Sequence, residues 1–293
     1  MRRARNYIMS AYLGIILVGI AILVIPYLSD ASRIFPPHIW PEELSKVHAM
    51  KGGLWTTYDT DDGLAHNRVN AIAKDGDDHL WFGTQGGVSE YDGSTWTTYT
   101  TADGLVSNVI LAVTVDLGDT LWFGSNGNGI SEFDGVNWIT HTTSNGLASN
   151  TVLALAVRGD GHIWAGTIYG ASEWDGSGWT TYRKADGLAD NYVNAIAVDG
   201  DDHVWFGTNN GVSEYDGSTW TTYTTTHGLA HNVVLSIAVD DSGDIWFGTL
   251  GGGVSRYDGS TWHTYTTSDG LVQNYVRTIG VTPDGHLWFG TNA

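Results

Sequence analysis

The chain has 293 residues with 13 Lys+Arg against 32 Asp+Glu, a formal net charge of −19 at pH 7, 39 Gly, only 5 Pro and no Cys. The lack of Cys excludes a disulfide framework, a thiolate metal site and a cysteine nucleophile. The acidity argues against nucleic acid as a partner, since phosphate binding needs a basic surface.

The chain opens with Arg2, Arg3 and Arg5, and residues 7–28, which include "LGIILVGIAILVIPYL", carry no charge. As a helix this stretch is long enough to cross a hydrocarbon core of about 30 Å at roughly 1.5 Å per residue. Basic residues before the span predict that residues 1–6 are cytoplasmic and that everything after Asp30 is outside. The alternative is a cleaved signal peptide, because Ser29 and Ala31 have the small-x-small spacing. Both readings export the rest of the chain. Residues 29–52 hold three of the five prolines and no repeat, and read as a linker before a domain at 53–293.

That domain is a tandem array. Leu64, Leu105, Leu147, Leu188, Leu229 and Leu271 each follow Gly, at intervals of 41 or 42 residues. A period of about 40 to 45 with several strands per unit predicts propeller blades. In the first unit the predicted strands are a at 67–75 ("NRVNAIAKD"), b at 79–84 ("HLWFGT"), c at 87–93 ("GVSEYDG") and d at 94–100 ("STWTTYT"). Asp92-Gly93 and "DGDD" at 75–78 supply the turn chemistry between c and d and between a and b. Twelve of the 14 Trp fall at fixed positions, six in strand b and six in strand d, so they read as packing between blades and not as a stacking platform.

A longer period overlies the first: Leu64 and Leu188, Leu105 and Leu229, and Leu147 and Leu271 are each 124 residues apart. Units two and five share a one-residue insertion between b and c ("GSNGNGI", "GTLGGGV"). The array starts with a strand d alone, "LWTTY" at 54–58, and the sequence ends on strands a and b, "GHLWFGTNA". The predicted fold is therefore all-β: a propeller of four-stranded blades, six in number, five complete and one split or truncated, preceded by one transmembrane helix. The missing piece is strand c, and the long period predicts that text like "IYGASEWDGSGWTTY" follows Ala293.

The unit "NxVxAIAxDxxxHLWFGTxxGVSEYDG", which recurs in all six copies, resembles the two-component regulator propeller repeat, a ligand-binding sensor module. The resemblance implies a propeller outside the membrane, a small-molecule ligand with carbohydrate breakdown products as a suggested class, and a histidine kinase or other signalling partner. This chain contains no kinase sequence. A narrower similarity, in "TPDGHLWF" at 282–289, is to streptogramin lyases. Three functions follow: a sensor without catalysis, a lyase on the same fold, or a protein-binding or adhesion scaffold.

Catalytic motifs are lacking. "GVSEY" at 87–91 has no second Gly and lies in a strand, so it is no nucleophile elbow. Asp75, Asp77 and Asp78 begin like a calcium loop, but the twelfth position is Gly86 in place of Glu, and the Asp residues read as turn formers. No metal site, cofactor or catalytic residue is predicted. His79, His162, His203 and His286 share one position at the start of strand b and read as a blade feature.

Because strands alternate in direction, the d-to-a and b-to-c connections share one face. Asn67, Asn108, Asn150, Asn191, Asn232 and Asn274 occur in every d-to-a connection and are expected to fix their own loops. The residue before each differs from unit to unit: His66, Ser107, Ser149, Asp190, His231 and Gln273. Variable polar residues on a rigid scaffold are the predicted ligand-binding set.

Overall fold

The computed structural model describes residues 16–17, 47–51 and 54–292. Its body is five four-stranded antiparallel sheets, each with strands in the order a, b, c, d, followed by a two-stranded sheet. Blade one is Val69–Lys74, Leu80–Thr84, Val88–Tyr91 and Trp96–Tyr99. The strands a of the later units are Ile110–Val115, Val152–Val157, Val193–Val198, Val234–Val239 and Val276–Val281, and each packs on the strand a before it. The predicted all-β propeller is thus observed, with strand a innermost. Among the described strands, no packing of that extent joins Val69–Lys74 to Val276–Val281.

The core lies between blades. Trp81, Trp164, Trp205 and Trp246, from strand b of one blade, pack edge-on or tilted against Phe123, Phe206, Phe247 and Phe289 of the next, at 6.0, 5.2, 5.8 and 6.0 Å between ring centres. Strand-b Gly residues permit this approach: a methyl on Gly124 would sit 2.7 Å from Val152 Cγ1, and one on Gly207 would sit 2.8 Å from Val234 Cγ1. Trp288, in the two-stranded sheet, is 47% exposed, whereas the five preceding strand-b Trp are at most 9% exposed.

Each buried strand-b indole needs an acceptor, and the turn between a and b supplies it. Nε1 of Trp81, Trp122, Trp205 and Trp246 donates to Asp75, Asp116, Asp199 and Asp240 at 2.7, 3.0, 2.7 and 2.8 Å. The other oxygen of each carboxylate accepts backbone N–H groups of its own turn. Blade three departs from this, because Arg158 stands where the others have Asp. Its Nε donates to Asp202 O at 3.1 Å, in the next blade, and Trp164 Nε1 is left without an acceptor.

The start of the described chain also follows the blade plan. Tyr58 packs on Tyr91 and Trp96 of blade one, so Leu54–Tyr58 is the strand d of a preceding blade, as predicted. Val47–Lys51, within the segment read as a linker, pairs antiparallel with it, Val47 opposite Tyr58 as Val88 is opposite Tyr99. It therefore occupies the register of a strand c. The two terminal hairpins belong to separate sheets. The predicted transmembrane segment 7–28 lies outside the described residues except at Ile16–Leu17. There the backbone is extended, paired in parallel with His48 and Ala49, and not helical as expected. No helix among the described residues is long and apolar enough to cross a membrane.

The orphaned indole gives a direct test. Trp205→Phe abandons the Asp199 carboxylate, whereas Trp164→Phe removes a donor that had no partner. Urea unfolding should show Trp205→Phe to be the more destabilising by about 1–3 kcal/mol; equal losses would contradict this account.

Candidate functional site

The two faces of the propeller differ in how far they vary. On the face of the a-to-b and c-to-d turns, every complete blade repeats one device. Asp92, Asp134, Asp175, Asp216 and Asp258 accept from the backbone N–H groups two and three residues on. The hydroxyls of Thr95, Thr219 and Thr261 also donate to Asp92, Asp216 and Asp258, which holds those carboxyls well below the usual range. Asp175 has Gly178 at that place and is lowered less, to about 2, chiefly by the Ser177 hydroxyl and N–H. His79, His162 and His203 each pair with a strand-c Glu at 2.8 Å, and that Glu also accepts from a strand-d Tyr. These three His residues are a blade feature, as expected, whereas His286, the fourth of that set, pairs with Asp284 at 2.9 Å instead. Among the described residues no group of three or more His, Asp or Glu could hold a metal ion.

On the opposite face each d-to-a connection is fastened at several points. Asn67, Asn108, Asn150, Asn191, Asn232 and Asn274 each accept, at 2.8–2.9 Å, from the backbone N–H seven residues earlier. In the first five connections the Gly before the buried Leu adopts positive φ and lies against a strand-d Trp of the following blade. A methyl on Gly187 (φ 122) would sit 2.5 Å from Trp220 Cβ. The residue after that Leu donates its N–H to a strand-c Ser, for example Ala189 to Ser213 at 2.7 Å.

The predicted ligand-binding residues all lie on this face, and most of them serve the loop as well. His66 Nδ1, Ser107 Oγ, Ser149 Oγ, Asp190 Oδ1 and His231 Nδ1 accept from the backbone N–H two residues on, at 2.8, 3.2, 3.1, 2.9 and 3.0 Å. Gln273, longer by a methylene than Asn, makes no such bond among the described residues. His66 is exposed, Ser107 and Ser149 are buried, and Asp190, His231 and Gln273 are half-buried. Their variety is that of turn formers, which limits how much of each side chain is left to meet a ligand.

A second variable set lies closer to the axis and was not singled out from the sequence. The residue after each Asn opens strand a, and its carbonyl accepts from the first residue of the b-to-c turn. The pairs are Arg68 with Gln85, Val109 with Asn126, Thr151 with Ile168, Tyr192 with Asn209, Val233 with Leu250, and Tyr275 with Asn292. Backbone position is the same in all six; side-chain chemistry is not. A bulge follows in each strand a, and its extra residue is Asn70, Leu111, Leu153, Asn194, Leu235 or Arg277. The insertions in units two and five have a visible effect: Asn126 and Leu250 form isolated bridges to Thr151 and Tyr275 of the next unit.

Radial sheets with strand a innermost and fixed loops on one face define a β-propeller. Four stretches, 63–86, 187–210, 228–251 and 270–293, match the model of the two component regulator propeller family. The fold of the chain is similar to the extracellular domain of a putative hybrid two component system from B. thetaiotaomicron (TM-score 0.71, 22% identity, covering 83% of this chain and 34% of that one). It is also similar to PorZ, a surface component of the type-IX secretion system of Porphyromonas gingivalis (TM-score 0.68, 18% identity, 83% and 41% covered). A streptogramin B lyase is a third likeness (TM-score 0.67, 15% identity, 84% of each chain covered). The chain thus spans well under half the length of the first two. A comparison with curated proteins finds no match.

The turn carboxylates predict an acid limit to stability. Asp175 is depressed on folding, so its contribution is complete above the ordinary carboxylate range and is lost as pH falls through about 2. Carboxyl 13C titration should place its midpoint there, and Gly178→Thr, into open space, should lower it further. A midpoint near 4 would contradict the hydrogen-bond account.

Proposed function

We propose that the chain is an extracytoplasmic sensor propeller of a two-component-type signalling system, which binds a small molecule, carbohydrate among the candidates, on the d-to-a face and performs no catalysis. The observation that carries this reading is the four-fold match to the two component regulator propeller. The fold adds support, since the loops on this face have a fixed backbone and unlike side chains, the arrangement expected of a recognition surface. In this reading residues 7–28 hold the propeller to the membrane, and a histidine kinase or other signalling partner receives the signal.

A lyase is the second reading, favoured by one observation: the streptogramin B lyase matches over 84% of both chains. Turnover of a macrocyclic ester by the purified protein would establish it.

The sensor reading is tested by changing side chains without disturbing turns. His66→Ser and His231→Ser retain an acceptor for the N–H two residues on, as Ser107 and Ser149 do. Calorimetry should detect saturable binding of a mono- or disaccharide, weakened about ten-fold by the double substitution with unchanged Tm. Equal affinity in the variant would remove these residues from the site, and protease protection of the domain in intact spheroplasts would rule out export.

A further inference from the structure

The outward side chain on the d-to-a face changes owner from unit to unit. In the b-to-c turn, the residue before the positive-φ Gly is Gly86, Asn128, Tyr169, Asn210 or Gly252. Its backbone is held alike in units one to four, where its N–H donates to the hydroxyl that ends strand b, at 3.0–3.2 Å. A methyl on Gly86 would lie 2.6 Å from Ala65 O and 3.0 Å from His66 Cβ, and one on Gly252 would lie 2.6 Å from Ala230 O and 2.7 Å from His231 Cβ. A His before the loop Asn therefore excludes a side chain in this turn. Where the turn does carry one, the facing residue is Ser107, Ser149 or Asp190. Tyr169 is thus the counterpart in unit three of His66 and His231: Ser149 is buried, and Tyr169 is 62% exposed.

Unit three departs from the repeat a second time at the same spot. Strand d elsewhere runs out into two Thr, at 100–101, 142–143, 224–225 and 266–267, but here Arg183 and Lys184 follow Tyr182. A methyl on Gly170, the neighbour of Tyr169, would lie 3.3 Å from Arg183 Cγ and 3.5 Å from Ala148 Cβ. Arg183 Cγ takes the place that Thr100 Cγ2 and Thr224 Cγ2 have beside Gly87 and Gly211. The guanidinium extends beyond where Thr ends. Arg183 and Lys184 are exposed, and neither makes an ion pair among the described residues; Asp186, in the same turn, accepts the backbone N–H of Arg183. Residues 53–293 hold only 7 Lys+Arg against 29 Asp+Glu, so two adjacent cations beside an exposed ring are a marked local exception.

We propose that Tyr169, Arg183 and Lys184 form a subsite for a sugar ring that carries an acidic group. The negative face of the Tyr169 ring attracts the polarised C–H groups of a pyranose, and a guanidinium with an ammonium suits a carboxylate or phosphate. This rests on the d-to-a face being the ligand face and names the ligand's chemical class. All three residues belong to one unit and its exit, so no contact across the ring is required.

Calorimetry on the full-length protein in detergent compares glucuronate and glucose 6-phosphate with glucose, in low and in high salt. At least one acid should bind about five-fold or more tightly than glucose in low salt, and the difference should shrink in high salt. Arg183→Thr with Lys184→Thr should bring acids and glucose to one affinity, whereas Tyr169→Gly should weaken all of them about ten-fold. Each substitution installs a residue that other units carry at that place, so circular dichroism should be unchanged. The proposal is overturned if neither acid binds more tightly than glucose, if the double Thr variant keeps the preference, or if Tyr169→Gly binds as the wild type does. Sugar binding that is weakened by His66→Ser with His231→Ser, but by none of these, would leave the ligand face standing and remove only this subsite. If none of the three compounds binds, the sugar reading falls with it.

Discussion

Everything in this molecule depends on how closely one blade can approach the next, and strand-b glycine sets that distance. With no Cβ at Gly83, Gly124, Gly166 or Gly207, the first β-branched residue of the next strand a rests directly on the strand-b backbone. This spacing lets a strand-b Trp reach the following Phe across the gap. Once the indole is buried its N–H must be satisfied, and Asp75, Asp116, Asp199 and Asp240 do so while closing their own turns. One packing requirement thus accounts for the Gly, Trp, Phe and Asp of units one, two, four and five, while unit three has Ala165 and Arg158 in place of Phe and Asp.

The repeat preserves interactions more strictly than residues. In blades one, three and four a strand-b His meets a strand-c Glu. In blade five the polarity is reversed, with Asp244 in strand b and Arg256 in strand c joined at 2.7 Å. In blade two His141 replaces the strand-d Tyr, pairs with Glu132, and accepts from Trp179 Nε1 across the blade boundary at 3.1 Å. Blade three is where an interaction is lost, since Arg158 exchanges the indole's acceptor for a tie to Asp202 of the next blade.

Most of this architecture was legible because it repeats: period, strand order, turn positions and the packing role of Trp all came from register. The loop-fixing role of the six Asn was legible for the same reason. Two things were not. Val47–Lys51 sits 41 residues before Val88 with the same offset to its Trp, but "VHAMK" shares only Val with "VSEYD", and backbone pairing tolerates a sequence that pattern matching does not. The second role of the candidate residues was also hidden. Variation before each Asn suggested recognition, yet His66, Ser107, Ser149, Asp190 and His231 vary among residues able to accept the same N–H. After each Asn the bond common to all six units is made by the backbone carbonyl, so it does not restrict the side chain.

That distinction separates freedom from function on this face. Where a side chain serves the fold, its alternatives are chemically narrow: Ser, Asp and His are interchangeable as turn acceptors. Where the shared bond is made by the backbone, the side chain ranges from Val109 and Thr151 to Tyr192, Tyr275 and Arg68. The distribution around the axis is uneven. Unit five brings Val233, Leu235 and Leu250 to the inner end of the face, between units four and six, which bring Tyr192, Asn194 and Asn209 and Tyr275, Arg277 and Asn292; units two and three mix Val109, Leu111, Leu153 and Ile168 with Asn126 and Thr151. An array of near-identical blades therefore carries on this face a side-chain pattern that the repeat itself does not dictate.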